Sequence, residues 1–182
     1  SAIIHNTVKD KVINSFSYLD KKYGLSSGYF YCPNQFWAHK NHYRLIKAFA
    51  NVIKNKNYAN LKLVLTGSRF HKKNDSFFYE KVISLINELN LKRNIIHFDN
   101  LDFNSIKGLY AGCIALVNPS LYEGWSTTIE EARAFNVNLL ISNIKVNREQ
   151  NCPNSIFFDP HSVKSITEAL NIFLKSNFKC LT

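Results

Sequence analysis

Short apolar runs alternate along the chain with longer segments in which apolar residues recur at three- and four-residue spacing. The short runs are rich in branched and aromatic side chains and are bounded by Gly, Pro or Asn, a pattern that predicts buried strands. The helical spacing between them predicts amphipathic helices. The predicted strands are residues 29–32, 61–66, 94–98, 113–117, 137–142 and 156–158, and the predicted helices are residues 8–23, 41–54, 75–89, 103–111 and 162–174, with one more beginning near Thr127.

This alternation indicates an α/β fold, a doubly wound parallel sheet in which right-handed crossovers join successive strands. With 182 residues and 46% hydrophobic content, the chain is long enough to bury one core, so a single domain is expected. We interpret residues 1–28, which contain the first helix and the loop after Gly24, as a lead-in helix or linker, and residues 29–182 as the domain.

The chain is basic, with a formal net charge of +10, which favours an anionic partner such as a nucleotide diphosphate, a nucleic acid or an acidic membrane surface. The basic residues are scattered and are not interleaved with aromatic residues as base stacking requires, so nucleic acid is not expected as the main ligand. There is no signal peptide and no apolar stretch long enough to cross a bilayer, so a soluble, cytoplasmic domain is expected. The absence of Met suggests a piece of a longer protein.

The cysteines are widely spaced, with no Cys-x-x-Cys pair and no local His at ligand spacing. Neither a metal site nor a disulfide framework is therefore expected, and a reducing compartment is the simpler inference. The four cysteines are Cys32, Cys113, Cys152 and Cys180.

The stretch of residues 118–132 connects a predicted strand to a helix start that can hold an anion. Gly124 is expected to allow a backbone conformation that a side chain would resist, and Thr127 with Glu130 has the spacing of a capping box. The first helical turn leaves backbone amides unpaired at the carboxyl end of a strand, where open α/β sheets bind phosphates. Glu123 and Glu131 bracket this turn, so both carboxylates are expected to face one crevice and to hold sugar hydroxyls. The alternative is that Glu130 and Glu131 only complement the helix dipole.

Two further candidates follow other strands and should emerge at the same edge of the sheet. Lys40 precedes the second predicted helix, where a cation opposes the helix dipole unless an anion compensates it; the alternative is a solvated loop lysine. Gly67 and Ser68 form a tight turn where the backbone comes close to a ligand or to another segment. Phe36 and Trp37 are interpreted as packing residues. His97 is interpreted as a structural residue and not as a catalytic base.

The residues 119–124, with Glu131 and Ala132, resemble the C-terminal, donor-binding half of retaining GT-B glycosyltransferases, in the group marked by two glutamates separated by seven residues (glycosyl transferases group 1). The similarity extends over residues 29–174 and implies one Rossmann-like half of a GT-B fold. Residues 34–42 look like a variant found in bacterial surface-polysaccharide enzymes.

The resemblance implies a role for each matching residue. Lys40 looks like the donor-phosphate lysine, Glu123 like the contact to the transferred sugar, and Glu131 like the ribose ligand; Lys40 and Glu123 are the implied catalytic residues. Backbone amides of residues 125–128 would bind the diphosphate, and Gly67 matches the glycine that faces the nucleotide. The implied substrate-binding residues are Gln35, Lys40, Gly67, Ser68, Glu123, Gly124, Trp125, Ser126, Thr127, Thr128 and Glu131.

Some positions depart from the family pattern. Most members carry an Arg five residues before the lysine, where this chain has Gln35. A neutral amide donates hydrogen bonds to phosphate but does not neutralise it, so that charge is lost or is provided by Arg69 or another basic residue. Asn41 replaces a small residue, and Thr128 replaces a common proline.

The implied reaction transfers a sugar from a UDP-, GDP- or ADP-sugar, with retention, to an acceptor held by an N-terminal half that this chain lacks. Bacterial surface polysaccharide or lipopolysaccharide synthesis, at the cytoplasmic membrane surface, is the implied setting, and no metal or cofactor is implied. The chain alone is expected to bind the nucleotide without transferring sugar. The alternatives are a non-catalytic nucleotide-sugar-binding module, a GT-B-fold nucleotide-sugar epimerase, and nucleic-acid binding.

Overall fold

The computed structural model describes residues 2–69, 76–150, 152 and 155–177. Within these residues, six strands form one sheet in the order β3-β2-β1-β4-β5-β6, and every neighbouring pair is parallel. The strands are β1 (Tyr29–Pro33), β2 (Lys62–Thr66), β3 (Ile95–Phe98), β4 (Ala115–Asn118), β5 (Leu139–Ser142) and β6 (Ile156–Phe158). The helices are α1 (Ala2–Tyr23), α2 (His42–Val52), α3 (Ser76–Glu88), α4 (Phe103–Gly112), α5 (Thr127–Ala134), α6 (Lys145–Glu149) and α7 (Val163–Asn177).

This strand order is that of a doubly wound, Rossmann-like sheet, so the predicted fold class is confirmed. The chain reverses its direction of travel across the sheet between β1 and β4, which pair through Phe30 with Ala115 and Tyr31 with Leu116. At such a switch point the loops that leave the two strands separate, and a crevice opens beyond their carboxyl ends.

Helices cover both faces of the sheet, and each face has its own apolar cluster. Helices α2, α3 and α7 pack on one face, in an apolar cluster that includes Phe30 and Leu65. Helices α1, α4 and α5 pack on the other face, in an apolar cluster that includes Tyr31 and Val64. Because successive side chains of a strand point to opposite faces, a strand covered on both sides reads as an unbroken apolar run.

Two predicted helix starts have the capping contacts that their sequences indicate. The Asp102 carboxylate accepts hydrogen bonds from the amides of Asn104 and Ser105 at 2.9 and 3.0 Å. The Ser162 hydroxyl, directly before α7, accepts one from the amide of Ser165 at 3.1 Å. Each contact satisfies a backbone donor that the helix itself leaves unpaired.

Helix α1 is longer than predicted and packs against the domain. Its Leu19 is buried, and its Phe16 ring lies 6.4 Å from the ring of Tyr29 in β1. The division of the chain at residue 28 stays a prediction. None of the helices in the described residues has the length and hydropathy needed to span a membrane.

One helix was not predicted, and two predicted positions lie outside the described residues. Helix α6 has five residues and only one of them, Val146, is apolar, so it has no helical apolar pattern. Position 75, the predicted start of α3, and Cys180 are outside the described residues. The other three cysteines are free thiols.

Candidate functional site

A cleft of about 700 Å³ opens at the carboxyl ends of the strands, beside the switch point between β1 and β4. Its walls come from the loops after β1, β2 and β3 and from helices α4 and α5. Lys40 and Glu131, which are 91 positions apart in the sequence, both line it. The predicted site residues that line the cleft are Gln35, Lys40, Gly67, Ser68, Thr127, Thr128 and Glu131.

Lys40 lies in a 3₁₀ turn, Ala38–Lys40, and forms an ion pair with Glu123. The distance from Nζ to Oε1 is 2.7 Å, and the two side chains are only 13% and 9% exposed. Lys40 is therefore not a solvated loop lysine. The anion that compensates it next to the start of α2 is the Glu123 carboxylate, which belongs to the chain itself.

The two loops that carry this pair are fastened to each other. The amide of Leu121 donates a hydrogen bond to the carbonyl of His39 at 2.7 Å. The side-chain amide of Asn41 donates to the carbonyl of Pro119 at 2.9 Å, and the His39 ring stacks on Tyr122 with centroids 4.4 Å apart. These contacts set the relative position of Lys40 and Glu123 independently of their own ion pair.

Glu131 lies on the first turns of α5 and is held by a tyrosine of α4. The Tyr110 hydroxyl donates a hydrogen bond of 2.5 Å to Glu131 Oε2. Burial, with the hydrogen bond to Glu131, raises the pKa of Tyr110 far above its usual value, so this hydroxyl remains a donor. Glu130, by contrast, bonds to Arg133 and Gln150, away from the cleft lining.

The start of α5 differs from the predicted capping box. Ser126 is the N-cap residue and Thr127 is the first helical residue. Ser126 Oγ accepts a hydrogen bond from Asn118 at 2.9 Å instead of capping the helix, and the Glu130 carboxylate accepts one from Gln150 at 2.8 Å. The predicted box of Thr127 and Glu130 does not form because Thr127 is already inside the helix and Gln150, after α6, binds the Glu130 carboxylate.

The amides at this helix start divide into two groups. Ser126 N–H donates to Gln150 Oε1 at 3.4 Å. This amide, which was predicted to bind the diphosphate, is therefore engaged within the protein. The amides of Thr127 and Thr128 have no acceptor within the part of the chain that the structure describes. They lie on the cleft wall with the positive end of the α5 dipole behind them.

Three predicted residues lie beside the cleft and not in its wall. Glu123, Gly124 and Trp125 border a shallower depression of about 350 Å³ with α6. Trp125 is 58% exposed. Among these residues the structure joins only Glu123 directly to the cleft, through its contact with Lys40.

The two glycines behave differently. Gly67 has φ +156°, and a Cβ there would lie 2.4 Å from the carbonyl oxygen of Asn34, so the predicted close approach to another segment is confirmed. Gly124 was expected to need a conformation that a side chain resists, and this expectation is wrong. Its φ lies outside the left-handed region, and a Cβ there would meet no atom of the described residues within 4 Å.

Gln35 and Arg69 hold the loop after β2. Gln35 Oε1 accepts a hydrogen bond from Ser68 N–H at 2.8 Å. Arg69, the candidate replacement for the missing arginine, donates its backbone amide to Asp99 at 2.8 Å and its Nε lies 3.4 Å from the same carboxylate. Gln35 thus supports the loop backbone, and the Arg69 charge is already compensated by Asp99.

The aromatic residues near the cleft have separate roles. Phe36 is buried against the His42 ring, at 4.6 Å between centroids, which confirms that it is a packing residue. Trp37 is partly exposed and lines the cleft, so its interpretation as a packing residue stays a prediction. His97 donates from Nε2 to the Gly67 carbonyl at 2.9 Å, in agreement with its structural interpretation.

Sequence reasoning missed several residues that build the site. Asn118 stands at the end of β4, where a polar residue after an apolar run was a usable signal. Tyr110 offered no signal, because nothing in the sequence pairs a tyrosine of α4 with a glutamate of α5. Gln150 offered none either, because α6 was not predicted.

The comparisons with known proteins agree with this geometry. The model of the family described as "Glycosyl transferases group 1" matches residues 20–180. Over 171 residues, which are 93% of this chain and 43% of the relative, the chain is 28% identical to the O-antigen chain mannosyltransferase RfbU of Salmonella typhimurium. The chain therefore spans less than half the length of that curated relative.

Solved structures share the fold at low sequence identity. A glycosyltransferase from Rickettsia africae superposes with a TM-score of 0.77 at 19% identity, covering 89% of this chain and 42% of that one. HepE of Anabaena, in complex with UDP-glucose, has a TM-score of 0.78 at 16% identity, with 91% and 44% covered. The C-terminal domain of the group 1 family protein LpcC from Francisella tularensis has a TM-score of 0.71 at 21% identity, with 83% and 77% covered.

Proposed function

Because this chain belongs to the glycosyl transferases group 1 family, we propose that it is the C-terminal, donor-binding domain of a glycosyltransferase. In this proposal the cleft binds a nucleotide-diphosphate sugar. The sugar passes, with retention of anomeric configuration, to an acceptor held by an N-terminal half. The setting is the synthesis of a bacterial surface polysaccharide at the cytoplasmic membrane surface.

One observation carries the proposal: a lysine, a glutamate and a helix start whose first amides have no acceptor among the described residues line the same cleft at the switch point of the sheet. Lys40 and the amides of Thr127 and Thr128 offer positive charge and donors to a diphosphate. Glu131 offers a carboxylate to the hydroxyls of a ribose, the role that an acidic residue has in dinucleotide-binding folds. The cleft volume falls in the range of small-molecule sites.

The Lys40–Glu123 ion pair places opposite charges where the donor reacts. When the bond between sugar and diphosphate breaks, negative charge develops on the leaving phosphate, and a preorganised cation and helix start stabilise it. Glu123 is 2.7 Å from Lys40, so a donor phosphate that contacts the lysine brings the transferred sugar next to this carboxylate. The proposed catalytic residues are Lys40, through the phosphate, and Glu123, through the sugar. The proposal assigns no metal and no cofactor to this chemistry.

The nature of the donor and the acceptor is proposed from the relatives. The HepE structure holds UDP-glucose, and the curated relative is named as a mannosyltransferase of O-antigen chains, so we assign the donor to the nucleotide-diphosphate hexoses. The proposed N-terminal half is supported by length, since the chain covers 43% of that relative. The net charge of +10 would assist an anionic donor and an acidic membrane surface alike.

The test is binding of nucleoside diphosphates to the isolated chain. We expect calorimetric titration to show binding of at least one of UDP, GDP and ADP, with no transfer of sugar from the corresponding nucleotide sugar. Lys40→Met should weaken this binding by about tenfold or more, because a charge-assisted hydrogen bond to phosphate is lost. No binding of any of the three by the folded wild-type chain would overturn the proposal.

The matched control is Lys47→Met. Lys47 is exposed on the outer side of α2, where its Nζ lies 4.6 Å over the Tyr43 ring, and it is not part of the cleft. The Lys47→Met substitution removes the same charge as Lys40→Met, from the same region of the chain. Equal weakening by both variants would show that only net charge matters, and the assignment of Lys40 to the phosphate would then be wrong.

A further inference from the structure

We propose that Tyr110 is a positioning residue that holds Glu131 in the orientation needed to bind the nucleotide ribose. The inference rests on the proposed function and extends it to a residue outside the glutamate and lysine pattern. It assigns to Tyr110 no contact with the donor. Its effect on binding passes through the Glu131 carboxylate.

The contact between the two side chains has a fixed chemical direction. A carboxylate only accepts hydrogen bonds, so the 2.5 Å contact is donated by the Tyr110 hydroxyl to Glu131 Oε2. The other oxygen, Oε1, has no partner among the residues that the structure describes. Glu131 is exposed and lines the cleft, so it has one oxygen engaged by the protein and one available to a ligand.

Tyr110 is itself held firmly. Its side chain is buried, with 2% exposure. Its ring meets Tyr31 edge-on at 5.1 Å and stacks on Phe135 at 5.3 Å with an interplanar angle of 8°. The hydroxyl is therefore fixed by the packing of β1, α4 and the end of α5, and not by Glu131.

A glutamate on a helix surface otherwise has several rotamers, and ordering it on binding costs conformational entropy. A donor fixed in the protein removes that cost before the ligand arrives. Lys107 lines the same cleft and offers a competing charge, although its Nζ lies 4.2 Å over the Phe103 ring. Without the tyrosine hydroxyl, Glu131 is free to turn toward solvent or toward this lysine.

The test is the preference for ribose in Tyr110→Phe. Calorimetry should compare each nucleoside diphosphate that binds among UDP, GDP and ADP with its 2′,3′-dideoxy counterpart. The wild-type chain should bind the ribose form more tightly by about tenfold or more, because the dideoxy form cannot make hydrogen bonds to the charged Glu131 carboxylate. Tyr110→Phe should lower this preference by about threefold or more, and Glu131→Ala should abolish it.

Tyr29→Phe is the matched control, because Tyr29 is also a buried tyrosine and its hydroxyl donates to the Leu109 carbonyl at 2.8 Å. It should lower the melting temperature and leave the ribose preference unchanged. A Tyr110→Phe preference equal to that of the wild type would overturn the inference while leaving the proposed function intact. Absence of binding in the wild-type chain would overturn both.

If Tyr110→Phe does not fold, Phe135→Leu removes the stacked ring and keeps the hydroxyl. We then expect a smaller but measurable loss of the ribose preference, because the orientation of Tyr110 is less restricted. An unchanged preference in that variant would count against the inference.

Discussion

Single side chains in this domain are set by partners from distant parts of the chain. Lys40 and Glu123 neutralise each other across 83 positions, and Glu131 depends on Tyr110 across 21. A largely buried ion pair of this kind adds little net stability, because desolvation offsets the attraction, but removing one partner is costly. The role of each residue is therefore decided by what lies against it.

Alanine substitutions at Gly67 and Gly124 test how each loop depends on its glycine. Gly67→Ala should lower the free energy of unfolding by about 1–3 kcal/mol, because the new Cβ would collide with the Asn34 backbone and force the loop to shift. Urea denaturation measures the change. Gly124→Ala, where a Cβ meets open space, should change the free energy of unfolding by less than about 0.5 kcal/mol. A larger loss at Gly124 than at Gly67 would contradict the account of both loops.

At the scale of elements, the start of α5 is held by a buried network and not by its own cap. Asn118 at the end of β4 bonds to Ser126 at 2.9 Å and to Asn34 at 3.3 Å. Gln150, directly after α6, accepts from the Ser126 amide and donates to the Ser126 carbonyl at 3.1 Å. The short helix α6 thus positions the longer one whose first amides face the cleft.

Removing Gln150 should affect both stability and binding. Gln150→Ala should lower the free energy of unfolding by about 1–3 kcal/mol, since buried partners lose their hydrogen bonds. It should also weaken nucleoside diphosphate binding several-fold, because the start of α5 is less fixed. Chemical denaturation and calorimetry measure the two effects.

The neighbouring Glu149 supplies the comparison for Gln150. It is the last residue of α6, is 55% exposed and, among the described residues, forms only an i,i+4 pair with Lys145 at 3.7 Å. Glu149→Ala should leave the free energy of unfolding and the affinity for nucleoside diphosphates nearly unchanged, because exposed pairs of this kind contribute little. If Gln150→Ala lowers stability without weakening binding, the network serves the fold and not the cleft.

At the scale of the whole molecule, the sheet and its two helical layers bury groups that titrate. His42, at the start of α2, is fully buried against Phe36, and burial lowers its pKa to about 3. In the unfolded chain this histidine titrates near its usual value of about 6.5. Between these pH values the unfolded state binds a proton that the folded state does not.

The stability of the domain should therefore fall as the pH decreases from about 6.5 toward about 3. The contribution of His42 to this slope is up to about 1.4 kcal/mol per pH unit. Urea denaturation across this range should show a shallower slope for His42→Leu than for the wild type. His161→Leu, at an exposed position, should keep the wild-type slope. Equal slopes in all three proteins would show that His42 does not stay neutral when folded.

The sequence by itself determined the order of strands and helices, the parallel sheet, and the family. These follow from local patterns: apolar runs for buried strands, helical spacing between them, and the block of residues 119–124 with Glu131. It also placed Lys40, Gly67 and the start of α5 at one edge, because parallel strands end on the same side of a sheet. The boundaries shifted by a few residues, as expected where helices and strands end.

Only the tertiary structure decided which groups pair. The Thr127 capping box was wrong because Thr127 lies inside the helix and the Glu130 carboxylate bonds to the buried Gln150. Gly124 has no φ in the left-handed region and open space where a Cβ would lie. Tyr110 and Gln150 became visible only when α4 and α6 lay against α5. The physical reason is that a hydrogen bond or an ion pair depends on distances of a few ångströms between side chains, and folding sets these distances between segments that are far apart in the sequence.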